Sequence, residues 1–258
     1  MVKLQKIAAL VVAFGCLVLT QVLGAPADAS KQVLKGEVTI SAASSLTDAF
    51  SALGKEFRKE HKDLKVRFNF GSSSTLIFQI QSGAPSDVVA AADLVSIKKL
   101  IASGNVVVPP RVFARNTMMI AVKPGNPKLV KSVQDLANLG VVSLCGKTVP
   151  CGIYGASVLA RSGVVLSESK ITRGADAKSA LGAVVSGDAD AALVYRTDVL
   201  AAKTNVAGVV IPRSINVVAI FGIAPIRGAR NVLAAQAFID FVLSRQGWQI
   251  LKSLGFER

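Results

Sequence analysis

From Glu37 onward the chain alternates short β-branched runs with amphipathic stretches, and that alternation restricts the fold more than any other feature. V-T-I-S-A reads as a strand. The next segment carries apolar residues at Leu46, Ala49, Phe50, Leu53 and Phe57, the spacing of one helix face. L-K-V-R-F-N-F is a second strand and T-L-I-F-Q-I-Q a short helix. D-V-V-A-A is a third strand, and D-L-V-S-I-K-K-L-I-A-S a helix that stops at Gly104. This βαβαβα order places helices on the faces of a parallel sheet. M-M-I-A-V follows as a strand, closed by the turn K-P-G-N-P.

A second series starts after that turn. S-V-Q-D-L-A reads as a short capped helix, V-V-S-L as a strand and I-Y-G-A-S-V-L-A-R as a helix. K-S-A-L-G-A-V-V-S-G is a helix with Gly187 at its end, and A-D-A-A-L-V-Y a strand. V-V-I-P and V-V-A-I-F-G-I-A-P-I are two more strands, and two helices close the chain. A chain of 258 residues has room for two lobes. The expected fold is therefore α/β and two-lobed, each lobe a mainly parallel sheet with flanking helices. Residues 36–116 with 222–258 form lobe I and residues 117–221 lobe II, with M-M-I-A-V and I-F-G-I-A as the crossing strands.

The N-terminus lies outside this pattern. Lys3 and Lys6 precede a long uncharged apolar run, and small residues follow in A-P-A-D-A-S. That is the layout of a secretory signal peptide over residues 1–29, with cleavage after Ala29. A membrane anchor is one rival, because the run approaches spanning length. Lipidation at Cys16, in A-F-G-C, is another. No basic stop-transfer cluster follows the run, and L-V-L-T-Q-V-L is more apolar than the tether of a lipidated cysteine. Export to the periplasm or cell envelope is the expectation on each reading, with or without a lipid anchor.

Loss of the leader lowers the net charge from +14 to +13 and leaves two cysteines, Cys145 and Cys151. In an exported chain, two cysteines so close are expected to form a disulfide. A metal site would need further ligands, and the one histidine, His61, sits in the polar helix end K-E-H-K-D. The surplus of positive charge is scattered, without an aromatic-interleaved basic stripe or a DNA-binding motif, so nucleic acid is not an expected partner. A general attraction for anions or for an acidic envelope surface fits it better.

Ligands of parallel α/β sheets collect where strand ends lead into helix starts. Four such junctions here are built of small residues: A-A-S-S-L-T-D, G-S-S-S-T-L, V-P-C-G-I-Y and G-A-D-A-K-S. A helix start carries unsatisfied N–H groups and a partial positive charge, so it receives an anion without Lys or Arg. Ser and Thr are also good N-caps, and capping alone accounts for any one junction.

The run F-G-S-S-S-T-L-I-F-Q-I-Q-S-G-A-P-S-D, with A-S-S-L-T-D-A-F before it, resembles the molybdate-binding proteins of ABC transporters. V-P-C-G-I-Y-G-A-S, A-D-A-A-L-V-Y-R-T-D and the ending up to G-F resemble that family's later segments, in the same order. The resemblance implies a type II periplasmic-binding-protein fold. It also implies a monomer that closes on molybdate or tungstate and presents it to a membrane permease, with no cofactor and no catalysis. It further implies a ligand held by neutral donors. By position these are the hydroxyls of Ser45 and Ser73, the backbone N–H groups of Cys151 and Ala177, and the hydroxyl of Tyr195. The family commonly has Ala where this chain has Cys151 and often Val where it has Ala177; a backbone donor tolerates both changes.

Two rivals share these features. Sulfate, like molybdate, only accepts hydrogen bonds near neutral pH, so the same donors suit it. A secreted serine hydrolase would also place serines at helix starts. However, the chain has no G-x-S-x-G elbow, and neither Ser45 nor Ser73 has a Lys three residues on.

Overall fold

The computed structural model describes residues Val33–Arg258. The leader, its cleavage site and Cys16 lie outside the described residues. Among the described residues, no helix is long and apolar enough to cross a membrane.

The first three strands and helices follow the order read from sequence. They are β1 (Gly36–Ala43), α1 (Thr47–Glu60), β2 (Leu64–Gly71), α2 (Ser73–Gln81), β3 (Val88–Ala91) and α3 (Leu94–Ala102). A 3-10 turn, Ser44–Leu46, precedes α1. Next come β4 (Arg111–Val122), β5 (Val142–Cys145), α4 (Pro150–Arg161), β6 (Ile171–Gly174) and α5 (Ala177–Ser186). The chain finishes with β7 (Ala191–Tyr195), α6 (Arg196–Ala202), β8 (Ala207–Val210), β9 (Val218–Pro225), α7 (Val232–Leu243) and α8 (Arg245–Ser253).

One curled sheet runs in the order β2-β1-β3-β9-β4-β7-β5-β6, with β8 paired to β4 off this path. β1 pairs in parallel with β2 and β3, and β5 in parallel with β6 and β7. The antiparallel pairings all involve β4 or β9. β3 and β7 are buried along their whole length, as strands with both faces covered must be. α1 buries Ala49, Phe50, Leu53 and Phe57 against the sheet, and the Phe50, Phe57, Phe68 and Phe238 rings pack edge-on beneath it.

β4 is the element that joins the two parallel groups. Arg111–Thr117 pair with β9, and from Met118 onward the strand pairs with β7 and β8. At this change of partner, Asn216 completes the strand: its Oδ1 accepts the Met118 N–H at 3.0 Å and its Nδ2 donates to the Met118 carbonyl at 2.9 Å. Because β3–β9, β9–β4 and β4–β7 are three successive antiparallel pairings, β5–β7 run opposite to β1–β3. Their carboxyl ends therefore approach one another near the middle of β4, and Tyr195, the last residue of β7, pairs with Met118.

Candidate functional site

The small-residue junctions all open at this meeting of strand ends. Ser45 lies in the 3-10 turn after β1, and Ser73 is the first residue of α2 after β2. Cys151 is the second residue of α4 after β5, Ala177 the first of α5 after β6, and Tyr195 ends β7. One small cleft is lined by all five, together with Ser44, Ser72, Ala92, Val149 and Asp176 among others. No Lys or Arg is among its lining residues. A larger groove beside α4, lined largely by apolar residues such as Leu144, Leu159, Val164 and Leu193, has no comparable ring of donors.

The local chemistry decides which donors stay free. Ala43 and Val149 cap their helices without any side-chain hydrogen bond, so no capping side chain takes up the N–H groups at these helix starts. At α4 the residue after the cap is Pro150, which has no N–H, and Cys151 thus presents the helix's first donor. Ser72 and Asp176 do cap α2 and α5, but they accept from Thr75 and Ser179, two residues beyond the cleft-lining Ser73 and Ala177. Asp176, the one carboxylate in the lining, is committed to its capping box.

The side chains are equally specific. Ser73 Oγ accepts the Ala92 N–H at 3.0 Å, which fixes the oxygen and leaves its proton to donate. Ser45 Oγ and the Tyr195 hydroxyl are buried and have no hydrogen-bond partner among the described residues. Such atoms are uncommon, and each costs stability unless a ligand completes it. The Tyr195 ring is held edge-on by Tyr154 and Phe221. Burial pushes its phenol well above the ordinary value, so it remains a proton donor.

The cysteines of the β5–α4 loop are joined as expected, with Cα atoms 5.8 Å apart. The bond ties the end of β5 to the residue that presents the α4 donor. Glycines let this loop close tightly: a Cβ on Gly152 would lie 1.9 Å from the Gly146 carbonyl oxygen, and Gly146 donates its N–H to Gly174 across to β6.

Two features carried no separate signal in the sequence. Asp198, in the first turn of α6, is completely buried, and neither carboxylate oxygen makes a hydrogen bond of normal geometry with the described residues. Burial raises its pKa from 3.8 to about 7, offset in part by the Lys178 ammonium and the Tyr195 N–H. An Asp at a helix start reads as ordinary dipole compensation, so burial is its only distinguishing mark. The other is the ion pair between Asp48 of α1 and Lys178 of α5. Asp87, by contrast, serves structure by accepting the Thr39 and Asn231 N–H groups at 2.7 and 3.1 Å.

Residues 38–257 match the family model for bacterial extracellular solute-binding proteins. The chain belongs to that family. It is 33% identical over 222 residues to the molybdate-binding protein ModA of Mycobacterium tuberculosis, covering 86% of this chain and 84% of that one. Among solved structures, the periplasmic molybdate-binding protein of Azotobacter vinelandii aligns over 86% of this chain and 99% of its own, with a TM-score of 0.78 and 21% identity. The substrate-binding domain of a putative molybdenum ABC transporter from Clostridium difficile aligns over 86% of this chain and 98% of its own, with a TM-score of 0.64 and 26% identity.

Proposed function

We propose that this solute-binding protein captures molybdate or tungstate in the cleft and delivers it to an ABC permease in the membrane. One observation carries the reading: five polar donors from five separate segments line a single cleft that no cation lines. Ser45, Ser73 and Tyr195 donate hydroxyl protons, and Cys151 and Ala177 donate backbone N–H groups. A dianion can be buried only if its oxygens are satisfied, and such an array does so with neutral dipoles and the positive ends of α2, α4 and α5.

The same chemistry sets the selectivity. Molybdate and tungstate carry no proton near neutral pH and only accept hydrogen bonds. Phosphate retains a proton and needs an acceptor, and the lining offers one carboxylate, Asp176, whose Oδ1 already accepts from the Ser179 N–H and hydroxyl. The protein is a binding protein and not an enzyme, in keeping with the relatives it matches.

The donors come from both parallel groups of the sheet, so capture entails closure of two lobes, residues 36–116 with 222–258 and residues 117–221, about β4 and β9. The chain acts as a monomer outside the cytoplasm, released by cleavage after Ala29 or held by lipid on Cys16. A thermal-shift panel of molybdate, tungstate, sulfate and phosphate tests the reading, because a ligand selective for the folded state raises its melting temperature. Molybdate and tungstate are expected to give the large shifts. A larger shift with sulfate or phosphate, or none with molybdate, refutes it.

A further inference from the structure

Two hydrogen bonds beside the cleft join the helix starts of the first parallel group to those of the second. Lys178, the second residue of α5, donates to Asp48, the second residue of α1. Ser74, the second residue of α2, donates its hydroxyl to the Thr148 carbonyl at 2.9 Å, just before α4. Each bond lies next to one pair of candidate donors: Asp48 and Lys178 flank Ser45 and Ala177, while Ser74 and Thr148 flank Ser73 and Cys151. None of these four residues lines the cleft itself.

We infer that Asp48–Lys178 and Ser74–Thr148 are a pair of latches that hold the cleft closed over its anion and set the rate of release. α1 and α2 belong with β1–β3, and α4 and α5 with β5–β7, so any separation of the two groups breaks both bonds at once. Bonds present only in the closed state stabilise that state alone, and a ligand that needs closure gains affinity from them. Both side chains of the ion pair are partly exposed, which keeps the contribution small enough for release to remain possible. These are positioning residues: they touch the anion's neighbours and not the anion.

This inference rests on the oxyanion reading of the cleft, and the sign of one substitution separates a latch from a simple charge effect. If the pair acted only through its field, Asp48→Asn would remove a negative charge near a dianion and tighten binding. A latch requires the opposite. The test is stopped-flow and calorimetric measurement of molybdate binding to the full mature chain and to Asp48→Asn, Lys178→Met, Ser74→Ala and the charge-reversed pair Asp48→Lys with Lys178→Asp. Each single variant is expected to bind about twofold to fivefold more weakly, through faster release with little change in association rate. The charge-reversed pair is expected to recover to within about twofold of the unaltered protein. Tighter binding by Asp48→Asn, or release rates unchanged in all variants, overturns the latch while leaving the binding site intact. Absence of molybdate binding by the unaltered protein overturns both readings.

Discussion

The hydroxyls of Ser45 and Tyr195 line one cleft, and both are buried without a hydrogen-bond partner among the described residues. They reach it from the ends of β1 and β7, in different parallel groups of the sheet. In the closed cleft neither hydroxyl has a protein partner, and an anion held between them supplies one to both.

Tyr195→Phe separates the two effects. Deleting the unpaired hydroxyl is expected to leave the melting temperature of the unliganded protein unchanged or raised. Affinity for molybdate is expected to fall about tenfold to a hundredfold, the range for a hydrogen bond to a charged group. Thermal melts without ligand and calorimetry with it provide the two readouts. Loss of stability with unchanged affinity would mark Tyr195 as a packing residue only.

The disulfide acts on the α4 donor. Cys145→Ser with Cys151→Ser is expected to lower stability by about 2 kcal/mol, as the chain-entropy model gives for so short a loop. It is also expected to weaken anion binding, since the Cys151 N–H loses its tether to β5. Urea denaturation and ligand titration of the double variant check both; binding unchanged after loss of the bond would free the disulfide from any role in the site.

Gly152→Ala tests the same loop from inside. The new Cβ meets backbone, the Gly146 carbonyl oxygen at 1.9 Å, and cannot be relieved by a side-chain rotation. A destabilisation of about 2 kcal/mol or more is expected in urea melts, with weaker molybdate binding.

Asp198 gives the fold a pH dependence of definite sign. Its folded pKa is raised by burial from 3.8 to about 7, so between those values the folded protein holds a proton that the unfolded chain releases. Its contribution to stability is therefore full below the unfolded value, declines as pH rises through the window, and levels off above about 7. Asp198→Asn cannot ionise and is expected to melt at a higher temperature than the unaltered protein at pH 8, with the difference shrinking toward pH 5. Melting curves across that range check it; a difference that grows toward low pH would contradict the assignment.

Much of this architecture was legible in the residues. The alternation of β-branched runs and helical spacing located β1–β3 and α1–α3, and Gly187 marks the end of α5 in a left-handed conformation with φ of 93°. β6 carries no clear sequence signal because I-T-R-G is short and only half-buried, and α6 none because its start, R-T-D, follows the last residue of β7 directly. The M-M-I-A-V strand proved to be the second half of β4, whose first half, R-V-F-A-R-N-T, lacks a clean alternation. The five cleft residues came from resemblance, since nothing in a serine before a helix separates a cap from a ligand. Convergence in space does so, and Asp198 and the Asp48–Lys178 pair, which depend on contacts distant in sequence, required it.

Neutral donors in this cleft are expected to select a fully deprotonated tetrahedral oxyanion. Isothermal titration of the mature protein with molybdate, repeated in the presence of excess sulfate and of excess phosphate, tests it most directly. One molybdate is expected to bind tightly per chain and to be displaced poorly by phosphate, with sulfate, itself fully deprotonated, the stronger competitor of the two. Absence of molybdate binding, or its full displacement by phosphate, would contradict it.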